Sequence, residues 1–154
     1  MANGRRPRAR QNTIGPTEDS EQIAFATWAE RVGERRWPEL AFWFHPPNGG
    51  LRGSKKARGV LKAMGTKRGV PDICLDVPRG GYHGARVELK VQAVKITATN
   101  GAVLRDTKAG SLSKEQRAFR EHYRASGYAY HVAFGAQDAI DFVTAYMDGR
   151  IVRG

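Results

Sequence analysis

Apolar residues recur at helical spacing at Phe25, Trp28, Ala29 and Val32, so a stripe on one face of a first helix is predicted. Thr17, after Pro16, can cap it. Glu18, Asp19 and Glu21 crowd its first turn, where the helix dipole favours negative charge. This helix should run to about Arg35, before Pro38. Residues 40–44 are aromatic and apolar and read as a short buried strand. Pro46-Pro47-Asn48-Gly49-Gly50 must be a loop, after which Ser54 can cap a short basic helix that continues through Met64 and ends at Gly65.

The period then changes from helical to two. Over residues 70–77, Ile73, Leu75 and Val77 face one way and Asp72, Cys74 and Asp76 the other. Over residues 85–91, Val87, Leu89 and Val91 stand opposite Arg86, Glu88 and Lys90. The connection Pro78-Arg79-Gly80-Gly81-Tyr82-His83-Gly84 is rich in turn formers, and the whole reads as a hairpin. Residues 92–110 have mixed polarity and weak strand character and form an excursion from the core. Ser113-Lys114-Glu115-Gln116 has capping-box spacing and opens a helix with Phe119 and Tyr123 inward, closed by Gly127. Residues 128–134 read as a strand. Residues 138–147 read as a last helix with Ile140, Val143 and Met147 on its buried side. The order α-β-α-β-β-α-β-α predicts an α/β fold, a mixed sheet flanked by helices.

Charge narrows the partner. The 154 residues carry 26 Lys and Arg against 15 Asp and Glu, a formal net charge of +11. A small domain this basic meets a polyanion. The single cysteine, Cys74, excludes a disulfide framework or a cysteine zinc site and points to a reducing compartment, here the cytoplasm. No apolar run is long enough for a membrane span, and the arginine-rich N-terminus lacks the apolar core of a secretory signal. Residues 1–16, with Arg5, Arg6, Arg8 and Arg10 and no acid, read as a disordered basic arm; residues 17–150 read as one domain.

The hairpin concentrates the chemistry. Centring its turn on Gly80 places Asp72 opposite Glu88, and side chains at directly paired positions lie only ~4.5–5.5 Å apart at Cβ. Two carboxylates that close repel unless a cation lies between them, and a hard divalent ion such as Mg²⁺ suits oxygen ligands in this number. Lys90, two residues along the same face, could orient an attacking water or stabilise charge on a phosphorane-like transition state.

Gly69-Val70-Pro71-Asp72-Ile73 followed by Val87-Glu88-Leu89-Lys90 resembles the restriction-endonuclease-like PD-(D/E)xK nuclease core. More narrowly, the chain resembles the virus-type replication-repair nuclease (VRR-NUC) family, in its small stand-alone phage form, over about residues 17–145. The blocks that carry the resemblance are Glu18-x-x-x-Gln22, Pro47-Asn48-Gly49-Gly50, residues 67–72, residues 79–84, Glu88-Leu89-Lys90 and Ser113-x-x-Gln116. The resemblance implies that Asp72, Glu88 and the Leu89 carbonyl ligate Mg²⁺, with Mn²⁺ able to substitute. It further implies that Glu18 assists, that Lys90 is the catalytic lysine and that Gln116 supports the site. Spacing alone leaves Glu18 and Glu21 open as the first-helix acid, and the Glu-x-x-x-Gln match favours Glu18. The resemblance also implies a homodimeric, phage-encoded DNA endonuclease of the bacterial cytoplasm that resolves Holliday junctions. A less selective nickase of phage replication and a non-catalytic nucleic-acid-binding protein are the alternatives. The long stretch between Val91 and Leu112 departs from the family, either adding a hairpin beside the DNA path or enlarging a dimer contact.

Several residues carry two readings. Gln116 sits where a capping box wants it as well as where the site does. Asn48 can reach a phosphate or simply turn the chain. Arg52, Lys55, Lys56, Arg58, Lys62, Lys67 and Arg68 lie together without an acid and read as a phosphate-tracking surface. The four histidines show no zinc-ligand spacing. Cys74 and the three tryptophans read as core.

Overall fold

The computed structural model describes residues 15–46 and 55–154. Asn48 and Arg52, the loop at 47–50, the Ser54 cap, residues 1–14 of the arm and the Lys55 side chain lie outside the described residues. Helix α1 (Glu18–Trp28) starts at Thr17, whose hydroxyl accepts the Ser20 N–H while the Ser20 hydroxyl accepts that of Thr17. The helical path continues through a π-helical turn, Ala29–Gly33, into α2 (Glu34–Arg36). The wider turn displaces the predicted stripe: Phe25 and Ala29 are buried, but Val32 is 55 % exposed. Gly33 meets the core instead, so close to Leu40 that a Cβ there would lie 2.7 Å from Leu40 Cδ1.

The predicted strand at residues 40–44 is not one. Pro38 opens a 3-10 turn, Pro38–Phe42, in the position where its fixed φ suits a helix start. Only Phe44 reaches the sheet, through a two-bond bridge to Cys74 (3.0 and 2.9 Å). The short basic helix is α3 (Lys55–Ala63), which buries none of its described side chains.

The central sheet has three strands, β1 (Ile73–Leu75), β2 (Ala85–Lys90) and a third from later in the chain. β1 and β2 are antiparallel, as the hairpin pattern predicts. The excursion folds as its own two-stranded sheet, β3 (Val94–Thr97) and β4 (Val103–Thr107). The chain then passes through α4 (Lys114–Ala125) to β5 (Ala129–Phe134), which pairs parallel to β2, and ends in α5 (Ala136–Met147). The mixed α/β architecture is therefore as read, with one strand fewer before the hairpin and two more after it. Among the described residues, no helix is long and apolar enough to cross a membrane.

β2 is buried along its whole length. Its odd face (Ala85, Val87, Leu89) packs with Phe25, Val143 and Tyr146 in the core shared with α1 and α5. Its even face (Arg86, Glu88, Lys90) is equally covered, and no charged row tolerates that without partners. Arg86 donates to Asp76 at 2.6 Å and lies over the rings of Tyr123 and Tyr128. Thus α4 roofs the polar face of the sheet as α1 and α5 cover the apolar one.

Candidate active site

The β1–β2 register pairs Ile73 with Val87 and Cys74 with Arg86. One step further, Asp72 falls opposite Glu88. Asp72 substitutes its side chain for a ladder bond, Oδ2 accepting the Leu89 N–H at 2.8 Å. The Gly84 and Lys90 carbonyls accept from Ala129 and Gly135 on the β5 side. Because successive strand residues bond to opposite neighbours, the Leu89 carbonyl lies on the β1 side with Asp72.

Glu88 is 1 % exposed. Its Oε1 accepts from Lys90 Nζ at 2.8 Å and from the Gln116 amide, while Oε2 is buried with no hydrogen-bond partner. Burial first, and the Asp72 charge second, push the Glu88 carboxyl up to about 7 against the pull of Lys90. Burial raises Asp72 as well, opposed by the Leu89 N–H and the Lys90 charge. The Lys90 side chain is itself buried, its stem packed beside Gly110.

The two first-helix acids take different places. Glu18 Oε1 lies 3.8 Å from Lys90 Nζ, at the edge of the cluster. Glu21 Oε2 accepts the Ala136 N–H at 2.5 Å and ties α1 to the start of α5, which has no side-chain cap of its own. Gln116 does both things its position suggested: its oxygen accepts the Ser113 N–H at 2.8 Å and its nitrogen donates to Glu88.

Gly69 brings the strand of Asp72 against the start of α4. Its φ is +86°, and a Cβ there would lie 2.6 Å from the Glu115 carbonyl carbon and 2.7 Å from the Gln116 nitrogen. Backbone cannot yield as a side-chain tip can. Gly69→Ala is therefore expected to cost roughly 2 kcal/mol or more in urea unfolding, and an unchanged midpoint would contradict the close approach.

His45 was missed by sequence reasoning. Its Nδ1 donates to the Asp72 backbone carbonyl at 2.6 Å. It arrives there through the Phe44–Cys74 bridge, a contact that no spacing along the chain announces. Cys74 is 2 % exposed and burial pushes its thiol up to about 11, so it is a core residue and no nucleophile. Trp28, Trp37 and Trp43 pack against the core as expected.

Lys56, Arg58, Lys62, Lys67 and Arg68 are all exposed. The Arg68 charge adds to the backbone and Ser113 hydrogen bonds that hold the exposed Glu115 carboxyl below its usual value.

Among the described residues, no group of three or more His, Cys, Asp and Glu side chains comes together to hold a metal ion. Asp72 and Glu88 nevertheless occupy opposed positions across the hairpin, the Leu89 carbonyl falls on the same side by ladder alternation, and one buried carboxylate oxygen has no hydrogen-bond partner. That donor set suits a hard cation that takes few protein ligands and keeps its waters.

A solved structure described as a "VRR_NUC domain protein" is similar to this chain, with 27 % identity over 88 % of this chain and 92 % of that one and a TM-score of 0.63. The likeness supports the VRR-NUC domain read from the motifs, and with it a nuclease of that family. No family model and no curated protein matches the chain.

Proposed function

We propose that this protein is a metal-dependent DNA endonuclease of the PD-(D/E)xK type that nicks branched DNA such as Holliday junctions. The observation that carries the reading is the meeting of Asp72 with Glu88 across the hairpin, with Lys90 bonded to Glu88. A protein that only bound DNA would gain nothing from buried acids beside its basic surface.

Asp72, Glu88 and the Leu89 carbonyl would hold Mg²⁺, or Mn²⁺ in its place, with Glu18 assisting from α1. The ion would supply positive charge to the phosphoryl oxygens and make water more acidic. The protein's own groups do the rest. The Lys90 ammonium has three donors, one of which serves Glu88. The others can orient water or meet the charge that grows on the phosphoryl oxygens, from a side chain already fixed by burial. Gln116 holds one Glu88 oxygen so that the other keeps its direction. Water oxygen bonds to phosphorus as the bond to the leaving sugar oxygen breaks; the water loses a proton and the leaving oxygen gains one.

The exposed cations from Lys56 to Arg68 would track phosphates beside this site, joined by Lys55, Arg52 and Asn48. Lys62→Ala or Arg68→Ala should weaken DNA binding and reduce the slope of log affinity against log salt by roughly 0.9 per lost contact. Gel shifts at several salt concentrations with unchanged slopes would remove this face from the interface. A homodimer is part of the proposal, because paired sites suit symmetric nicks in a four-way junction.

Cleavage of a labelled four-way junction, beside a linear duplex of the same arms, tests the whole reading with Mg²⁺ and with EDTA. Metal-dependent paired nicks near the branch are expected. Nicking of both substrates would favour a less selective replication nickase. Binding without cutting in Mg²⁺ or Mn²⁺ would leave a nucleic-acid-binding protein.

A further inference from the structure

The β3–β4 excursion ends back at the central sheet. It returns to the catalytic strand: the Gly110 N–H donates to the Val91 carbonyl at 3.0 Å, and Gly110 lies so close that a Cβ there would be 3.0 Å from Lys90 Cδ. Between this return and the start of α1 lies an open cleft of about 420 Å³, lined by Pro16, Glu18 and Asp19 on one side and Val91, Thr107 and Lys108 on the other. It shares a wall with the reaction site, since Glu18 borders both and Val91 follows Lys90 directly.

We propose that this cleft receives one unstacked nucleoside of the DNA, next to the phosphate that is cut. The inference rests on the nuclease reading above and adds a feature of the substrate to it. Its volume lies at the low end of small-molecule sites, ~300–1,000 Å³, suited to one base and sugar. Pro16 and Val91 offer apolar surface to a base. The Asp19 carboxylate can accept from an exocyclic amine, and the Lys108 ammonium can meet the neighbouring phosphate. A free anion fits less well, because Glu18 and Asp19 repel it. A paired base cannot enter without leaving the duplex, and leaving costs least where pairing is already broken. The cleft would thus give the enzyme a physical reason to prefer a branch.

The test uses the full chain and four-way junctions carrying 2-aminopurine at one position at a time around the branch, in EDTA so that no cutting occurs. At one position, saturation with the wild type should raise fluorescence at least threefold. Val91→Phe, which fills the cleft, and Lys108→Ala, at an exposed position, should each remove most of that rise. An abasic residue at the same position should weaken wild-type binding about fivefold and leave binding by Val91→Phe unchanged. No rise at any position with the wild type, or a full rise with both variants, would overturn the proposal. Cutting in Mg²⁺ without any rise would remove the cleft and keep the nuclease. A rise that both variants remove, without cutting, would keep the cleft and remove the nuclease.

Discussion

Asp72→Asn is expected to abolish cleavage, by roughly a thousandfold or more, in a protein that folds almost as well as the wild type. Asp72→Ala should abolish cleavage and also lose stability. The difference follows from the two tasks of one side chain. Asp72 Oδ2 accepts the Leu89 N–H in place of a strand ladder bond. Asparagine keeps an acceptor oxygen there while it removes the charge and turns the other oxygen into a donor nitrogen. Alanine leaves a part-buried N–H without its partner, which costs about 1–3 kcal/mol. Both variants should bind DNA in EDTA as tightly as the wild type or more so, because a negative charge facing phosphate has gone. Urea unfolding and gel shifts separate the effects. Retained cleavage in Asp72→Asn would remove Asp72 from the site, and equal stability of the two variants would show that the Leu89 contact carries no weight.

The acid pair was legible because two independent regularities agree on it. Alternation puts Glu88 and Lys90 on one face, and the glycine-rich connection centres the hairpin so that 72 and 88 pair, the register observed. Ser113 and Gln116 were legible for a similar reason, since capping is a contact between near neighbours. What failed depended on tertiary packing. An apolar run of five residues reads equally as a strand or as a buried turn, and Pro38 decided for the turn. The π-helical turn adds a residue to its circuit, which carries Val32 out of the core and Gly33 into it. His45 depends on a bridge between residues 30 apart in number. Residues 92–110 looked irregular because a small two-stranded sheet with a bulge between Ile96 and Thr97 breaks strict alternation.

Buried acids that would have to ionise to hold a cation should leave a mark on stability. Glu88 has an ordinary value of 4.5 and is pushed up to about 7 in the folded protein, chiefly by burial. The folded state therefore holds this proton more tightly than the unfolded chain does. Its contribution is fully present below about 4.5 and is lost as pH rises through about 7. Asp72 is shifted in the same direction. Glu39 and Glu115 are shifted the other way, but both are on the surface, and comparison with a Glu88 variant cancels them. In EDTA, the wild type should lose about 5 °C of melting temperature between pH 5 and 8 relative to Glu88→Gln. The variant keeps one acceptor oxygen for Lys90 or Gln116 and has no proton to lose. Adding Mg²⁺ or Mn²⁺ at pH 8 should restore much of the difference to the wild type alone, since a ligand that binds only the folded state stabilises it. Parallel melting curves for the two proteins would mean that Glu88 stays ionised through this range. A pH-dependent loss that neither ion repairs would mean that the acid pair does not hold a cation, and the endonuclease reading would lose its chemistry.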